Sequence, residues 1–230
     1  MTNTSQTILI TGGNRGIGLA LTEQLSQRGA HVIVACRQAS IELENLAKEN
    51  HRQITILSGI DVCAPISLTQ ELRILGISQV DVLINNAGLL HRESFDSLNF
   101  EQIEKQFAVN TFGPLRIVQA CMPFLKAGSK IANISSRMGS IADNTSGSMY
   151  GYRMSKAALN MASVSLAKDF KPKGIAVIIL HPGYVRTGMT GHNGLINPDQ
   201  SASGLIQRID DLSLETSGTF WHTNGESLPW

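Results

Sequence analysis

The chain has almost no charge excess, no cysteine framework and no long apolar run, and each absence removes a class of function. Nineteen Lys and Arg stand against eighteen Asp and Glu, a formal net charge of +1. No basic surplus exists to neutralise a nucleic-acid backbone, and no run of like charge marks an interaction tail. The three cysteines, Cys36, Cys63 and Cys121, are an odd number without metal-ligand spacing. That argues against a disulfide framework or a zinc site and fits reduced thiols in a cytoplasmic protein. No segment approaches the roughly eighteen apolar residues of a membrane span. The opening Met1–Gln6 is polar and lacks a basic stretch, so no signal peptide is expected.

What is present suffices for a large core. Of 230 residues, 42% are hydrophobic and 16% charged, which excludes disorder for the chain as a whole. Short apolar runs alternate with longer amphipathic segments. Strands are expected at Thr7–Ile10, His31–Ala35, Ile54–Leu57, Val80–Ile84, Lys130–Ile134, Ile175–Leu180 and Thr219–His222. Helices are expected at Leu19–Arg28, Ile41–Asn50, Pro65–Leu75, Tyr150–Phe170 and Gln200–Leu212. A long one at Phe100–Lys126 should be interrupted at Gly113-Pro114. Buried strands alternating with helices predict an α/β fold, a doubly wound seven-stranded parallel sheet with helices on both faces. No repeat or linker divides it, so one domain is expected over residues 1–230. The Gly-, Asn- and Pro-rich stretch Thr187–Pro198 is the candidate lid.

Thr11-Gly12-Gly13-Asn14-Arg15-Gly16-Ile17-Gly18 lies between the first strand and the first helix. Glycines at such a junction permit a tight turn and close backbone approach to a pyrophosphate at the helix N-terminus. The spacing departs from the dinucleotide fingerprint G-x-G-x-x-G. TGxxxGxG instead resembles the short-chain dehydrogenase/reductase family, and three further motifs follow in that family's order. They are Asn85-Asn86-Ala87-Gly88 at the end of the fourth strand, Tyr152-Arg153-Met154-Ser155-Lys156 (YxxxK) preceded by Ser136, and His181-Pro182-Gly183 followed by Val185-Arg186-Thr187. Asn133–Ser140 and Asn224–Trp230 are similar to the C-factor and sniffer-type branch of carbonyl reductases.

The resemblance implies a Rossmann domain and an NADP-dependent oxidoreductase that reduces a ketone, aldehyde or quinone to an alcohol. The nicotinamide would supply the hydride and Tyr152 the proton. Lys156, one helical turn on, would lower the phenol's pKa from about 10 and bind the nicotinamide ribose. Ser136 would hold the substrate oxygen, with Ser135 and Ser140 as the alternatives, and Asn110 would anchor a proton-relay water or merely pack in its helix. Tyr150 has no lysine four residues on and is placed with Met138, Tyr184 and Met189 in the substrate pocket. The resemblance assigns the dinucleotide to Gly12, Asn14, Arg15, Gly16, Ile17, Gly18, Asp61, Val62, Asn86, Ala87, Gly88, Lys156, Pro182, Gly183, Val185 and Thr187.

The end of the second strand reads Ala35-Cys36-Arg37, without the carboxylate that selects NAD. Arg37 can pair with a 2′-phosphate in forked geometry, Arg15 adds a second cation, and NADP(H) is the expected cofactor. The partners expected are a small carbonyl compound and a second copy of the chain, with neither nucleic acid nor membrane. Phe107, Ile117, Leu159 and Val164, on the two long helical segments, motivate the homodimer, and the last strand could extend it to a tetramer. The competing reading is an NADPH-binding regulatory or developmental signalling protein on the same fold.

Overall fold

The computed structural model describes residues 6–230. Seven parallel strands form one sheet in the order β3-β2-β1-β4-β5-β6-β7. They are β1 Thr7–Thr11, β2 His31–Cys36, β3 Ile54–Ser58, β4 Val82–Asn85, β5 Lys130–Ile134, β6 Ala176–His181 and β7 Phe220–His222. Alternation along each strand feeds two cores. Ile8, Ile10, Val32, Val34, Ile178 and Leu180 point to one face, and Leu9, Ile33, Ala35, Leu83, Ile131 and Val177 to the other. Helices α1 (Gly16–Gln27), α2 (Ile41–Glu49) and α7 (Pro198–Asp210) contribute to the first core. Helices α3 (Leu68–Ile74), α5 (Gly113–Cys121) and α6 (Tyr150–Phe170) contribute to the second. The strand order reverses direction between β1 and β4, and the ends of those strands open the crevice where α/β sheets bind ligands.

Four sequence expectations need correction. The helix after β4 does not break at Gly113-Pro114. After α4 (Phe100–Phe107) the backbone widens into a π-type turn over Ala108–Phe112, and α5 then starts at Gly113. Pro114, the second residue of α5, has no N–H to give to the turn before it. Helix α1 begins at Gly16 rather than Leu19, and α3 at Leu68, with Pro65 in the turn before it. Lastly, Ile117 and Leu159 are 0% and 1% exposed and face inward, so they offer nothing to a partner. The apolar surface on these helices is instead a groove of about 490 Å³ lined by Phe112, Leu115, Arg116, Met122, Leu166 and Phe170 among others. Among the described residues, no helix is long and apolar enough to cross a membrane.

Candidate active site

The loops after β1, β4, β5 and β6 converge at the C-terminal edge of the sheet. After β1, a Cβ on Gly18 would stand 2.2 Å from the Gly12 carbonyl oxygen and 2.5 Å from Asn86 Nδ2, so only glycine lets the turn close. Asn86 Nδ2 donates to the carbonyls of Thr11 (3.1 Å) and Gly12 (3.0 Å), while Thr11 Oγ1 accepts from the N–H groups of Asn86 and Ala87. The glycine turn and Asn86-Ala87-Gly88 are thus one hydrogen-bonded floor. Ile17 packs its side chain against the first core.

The end of β2 is tied to the same turn. Asn14 Nδ2 donates to the Gln38 carbonyl at 3.0 Å, and Ser40 Oγ donates to the Asn14 carbonyl at 2.6 Å while capping α2 through Leu43 N–H. Arg15 and Arg37 are exposed on this edge, and neither has an ion-pair partner among the described residues. Asp61 Oδ1 accepts from Cys63 N–H at 2.8 Å, and Val62 packs against Gly113 at the start of α5. A glycine floor too close-packed for side chains, with two unpaired guanidinium groups at its rim and no carboxylate among Ala35-Cys36-Arg37, fits a dinucleotide with an adenosine-side phosphate.

After β6, Pro182 accepts from Ser201 Oγ at 2.7 Å, and Gly183 adopts φ +85°. Val185 is buried, and its carbonyl accepts from Thr190 Oγ1 at 2.7 Å. The stretch 187–198 folds on itself. Arg186 N–H donates to Ile196 at 3.0 Å, Leu195 N–H to Tyr184 at 2.7 Å, and a short 3₁₀ turn spans Gly188–Thr190. Thr187 touches Gly16, and the Met189 methyl faces Gly88, so this segment overhangs the dinucleotide floor. Tyr184 and Met189 remain about half exposed, as does Tyr150, whose ring tilts against Phe95 at 6.3 Å. Met138 is half-buried on the turn after Ser136.

The three serines separate by their partners. Ser135 Oγ donates to Asn160 Oδ1 at 2.6 Å and points into α6. Ser140 Oγ accepts from Asp143 N–H at 3.1 Å within its own loop. Ser136 Oγ accepts only a 3.2 Å bond from Met138 N–H and also lies against the Tyr152 phenol. Tyr152 and Lys156, both buried, occupy the first turns of α6. Burial pushes the Tyr152 phenol up to about 12, with the Ser136 hydroxyl pulling the other way. Burial also pushes Lys156 down to about 8. Its Nζ donates to the Ile134 carbonyl at 2.8 Å and lies 5.8 Å from the Tyr152 ring centre. The expected lowering of the phenol pKa by Lys156 is therefore not found here. The ammonium is engaged by a carbonyl, and desolvation of the phenol, opposed by the Ser136 hydroxyl, sets the direction.

Asn110 lies within the π-type turn and is fully buried. Its Oδ1 accepts from Leu89 N–H at 2.7 Å, and its Nδ2 donates to Leu89 O at 2.8 Å and Ser155 Oγ at 3.0 Å. It staples the loop after β4 to α6, a cross-link reinforced by Thr111 Oγ1 donating to Ser155 O at 2.8 Å. Two residues that sequence reading passes over also enter the site's frame. Glu93 is buried beneath the N-terminus of α6, and Arg153 bonds the carbonyls of Gly147 and Ser148. His91 is half-buried, with Nδ1 3.6 Å from Glu93 Oε2.

The chain matches the family model for short chain dehydrogenase over residues 6–195. It is 39% identical over 231 residues to 1-hydroxy-2-glutathionyl-2-methyl-3-butene dehydrogenase of Rhodococcus sp. (strain AD45), covering 97% of this chain and 99% of that one. It is 42% identical over 154 residues to C-signal of Myxococcus xanthus, covering 66% of this chain and 93% of that one. Among solved structures, the carbonyl reductase Sniffer of D. melanogaster superposes with a TM-score of 0.89 at 33% identity, over 98% of this chain and all of the other. An NADPH-bound carbonyl reductase from chicken fatty liver superposes with a TM-score of 0.89 at 30% identity, over 98% and 99%. With most of its length under one family model and relatives aligned nearly end to end, the chain belongs to the short-chain dehydrogenase/reductase family.

Proposed function

We propose that the protein is an NADPH-dependent carbonyl reductase with Tyr152 as its proton donor. The observation that carries this reading is the buried Tyr152 phenol, protonated at neutral pH, set against the Ser136 hydroxyl beside a glycine floor fit for a dinucleotide. The nicotinamide supplies the hydride when bound. Tyr152 holds the proton that the reduced oxygen takes, and Ser136 donates a hydrogen bond to that oxygen. Lys156 keeps its charge below about pH 8 and offers ammonium hydrogens to the nicotinamide ribose. Asn110 fixes the distance between the cofactor floor and α6. Gly12, Asn14, Gly16, Ile17, Gly18, Asn86, Ala87 and Gly88 hold the pyrophosphate side, Asp61 and Val62 the adenine, and Pro182, Gly183, Val185 and Thr187 the carboxamide side. Arg37 and Arg15 take the 2′-phosphate, in line with the NADPH-bound neighbour.

Met138, Tyr150, Tyr184 and Met189 form the substrate wall, and residues 187–198 act as its lid. The single domain carries all of these parts. Free Cys36, Cys63 and Cys121 suit a reducing cytoplasm, and the groove between α5 and α6 is the homodimer contact. A second reading, an NADPH-binding signalling protein, is favoured by the C-signal relative. Steady-state oxidation of NADPH against aldehydes, ketones and quinones, with the reverse reaction on alcohols, separates the two. Turnover lost in Tyr152→Phe supports the reductase, whereas tight NADPH binding without turnover of any of these substrates supports the signalling protein.

A further inference from the structure

Helix α6 carries Tyr152 and Lys156, yet its own sequence leaves its N-terminus unprovided for. Its N-cap, Met149, makes no side-chain cap bond, and no acidic residue stands in its first turn. The first N–H groups of a helix need acceptors, and an anion there also answers the helix dipole. The acceptor comes from 58 residues earlier in the chain. Glu93 Oε1 accepts from Gly151 N–H at 2.5 Å, and the Glu93 backbone carbonyl accepts from Met149 N–H at 2.8 Å and from Ser148 Oγ at 2.9 Å. The Glu93 side chain is 1% exposed. A Cβ on Gly151 would stand 2.6 Å from Glu93 Oε1 and 2.4 Å from Gln106 Nε2, so a glycine at 151 is what admits the carboxylate.

The backbone between these contacts is strained. Ser148 and Met149 both adopt left-handed conformations, at φ +59° and +52°, which residues with a Cβ keep only when their surroundings hold them. Glu93 holds them from one side. Arg153 holds them from the other, its Nε donating to the carbonyls of Gly147 and Ser148 at 3.1 Å each and its Nη2 to Ser146 Oγ at 2.8 Å. Glu93 also ends a strap that begins at the dinucleotide floor. Asn110 binds Leu89, Gln106 Oε1 accepts from His91 N–H at 2.9 Å, and Gln106 Nε2 reaches Glu93 Oε1 at 3.4 Å.

We infer that Glu93 is a positioning residue for carbonyl reduction: it sets the first turn of α6, and so the place of the Tyr152 phenol relative to Ser136 and the cofactor floor. The inference rests on the reductase reading above, and the role is indirect, since Glu93 touches neither phenol nor floor. A displacement of about 1 Å in a reacting group can cost 10²-fold in rate. Glu93→Ala should therefore lower kcat about 10- to 100-fold, counted per NADPH-binding site, with KM for the carbonyl and Kd for NADPH changed less than about twofold. Glu93→Gln keeps an acceptor oxygen for Gly151 N–H and should restore kcat to within about threefold of the parent. In the cofactor-free protein, hydrogen exchange across 150–156 should speed up in the Ala variant and return to the parent rate in the Gln variant. Parent-like kcat in Glu93→Ala, or a loss of kcat matched by an equal loss of NADPH-binding sites, overturns the inference. If the Ala variant does not fold, Glu93→Asp, which withdraws the carboxylate by one methylene, must show the same split between kcat and KM, and parent-like kcat there overturns it equally. A parent protein that turns over no carbonyl would sink the reductase reading instead. Unchanged exchange in the cofactor-free Ala variant would sink the anchoring by itself.

Discussion

The Tyr152 phenol, pushed by burial up to about 12, is protonated at neutral pH, as an ordinary phenol near 10 also is, and a carbonyl about to receive a hydride needs that proton. Tyr152→Phe removes it while leaving the ring in place, so kcat is expected to fall about 10²- to 10⁴-fold with NADPH affinity unchanged by fluorescence titration. Lys156 titrates in the opposite sense. Its folded pKa lies near 8, below the ordinary lysine value, so the charged form dominates below pH 8 and is lost above it. For the reductive direction, kcat/KM should therefore decline as pH rises through about 8 in a pH–rate profile. In Lys156→Arg that limb should move beyond the accessible range, because guanidinium stays charged. A limb at the same pH in the Arg variant would assign it to another group. At the far end of the cofactor site, Arg37→Asp should reverse a preference for NADPH over NADH of at least ~10-fold, about 1.4 kcal/mol, by setting a carboxylate against the 2′-phosphate. Equal affinity of the parent for the two cofactors would remove that role from Arg37.

Among the elements, the glycine turn and the strands are those most visible in the sequence. Leu9, Ile33 and Val177 sit in short apolar runs bounded by polar residues, and such runs can only be buried strands when both faces of a sheet are covered. Gly12–Gly18 is legible because its spacing meets a local steric demand. At Gly18 that demand is severe, and Gly18→Ala should weaken NADPH binding more than about tenfold, since its Cβ would collide with the Gly12 carbonyl. Unchanged binding in that variant would show that the turn can relax. The π-type turn at Ala108–Phe112 has no such local signature. It is held by Asn110 reaching Leu89 and Ser155, partners 21 and 45 residues away, so in the sequence Gly113-Pro114 reads as the interruption instead. Glu93 was illegible for the same reason, as a single glutamate in a loop whose partner is Gly151. The sign of the Tyr152 shift also lay outside the sequence, because i,i+4 spacing shows the lysine but not the depth of burial.

For the whole molecule, the groove formed by Phe112, Leu115, Leu166 and Phe170 is the surface through which a second copy is expected to bind. Light scattering should give about twice the 24.8 kDa of one chain. Phe112→Asp should return it to one, since about half of Phe112 is exposed in the single chain, where it gives up a ring contact with Phe107 and a cation–π contact with Arg116, and a charge there disfavours the contact between copies. A parent mass of one chain would exclude the homodimer. The central claim is that this fold carries out hydride transfer paired with proton donation from Tyr152. It is tested most directly by following the loss of reduced-nicotinamide absorbance in parent and Tyr152→Phe proteins, side by side, on one aldehyde, ketone or quinone. Turnover is expected in the parent, with a loss of at least about 10²-fold in the variant at equal NADPH occupancy. Equal turnover in the two proteins would contradict it.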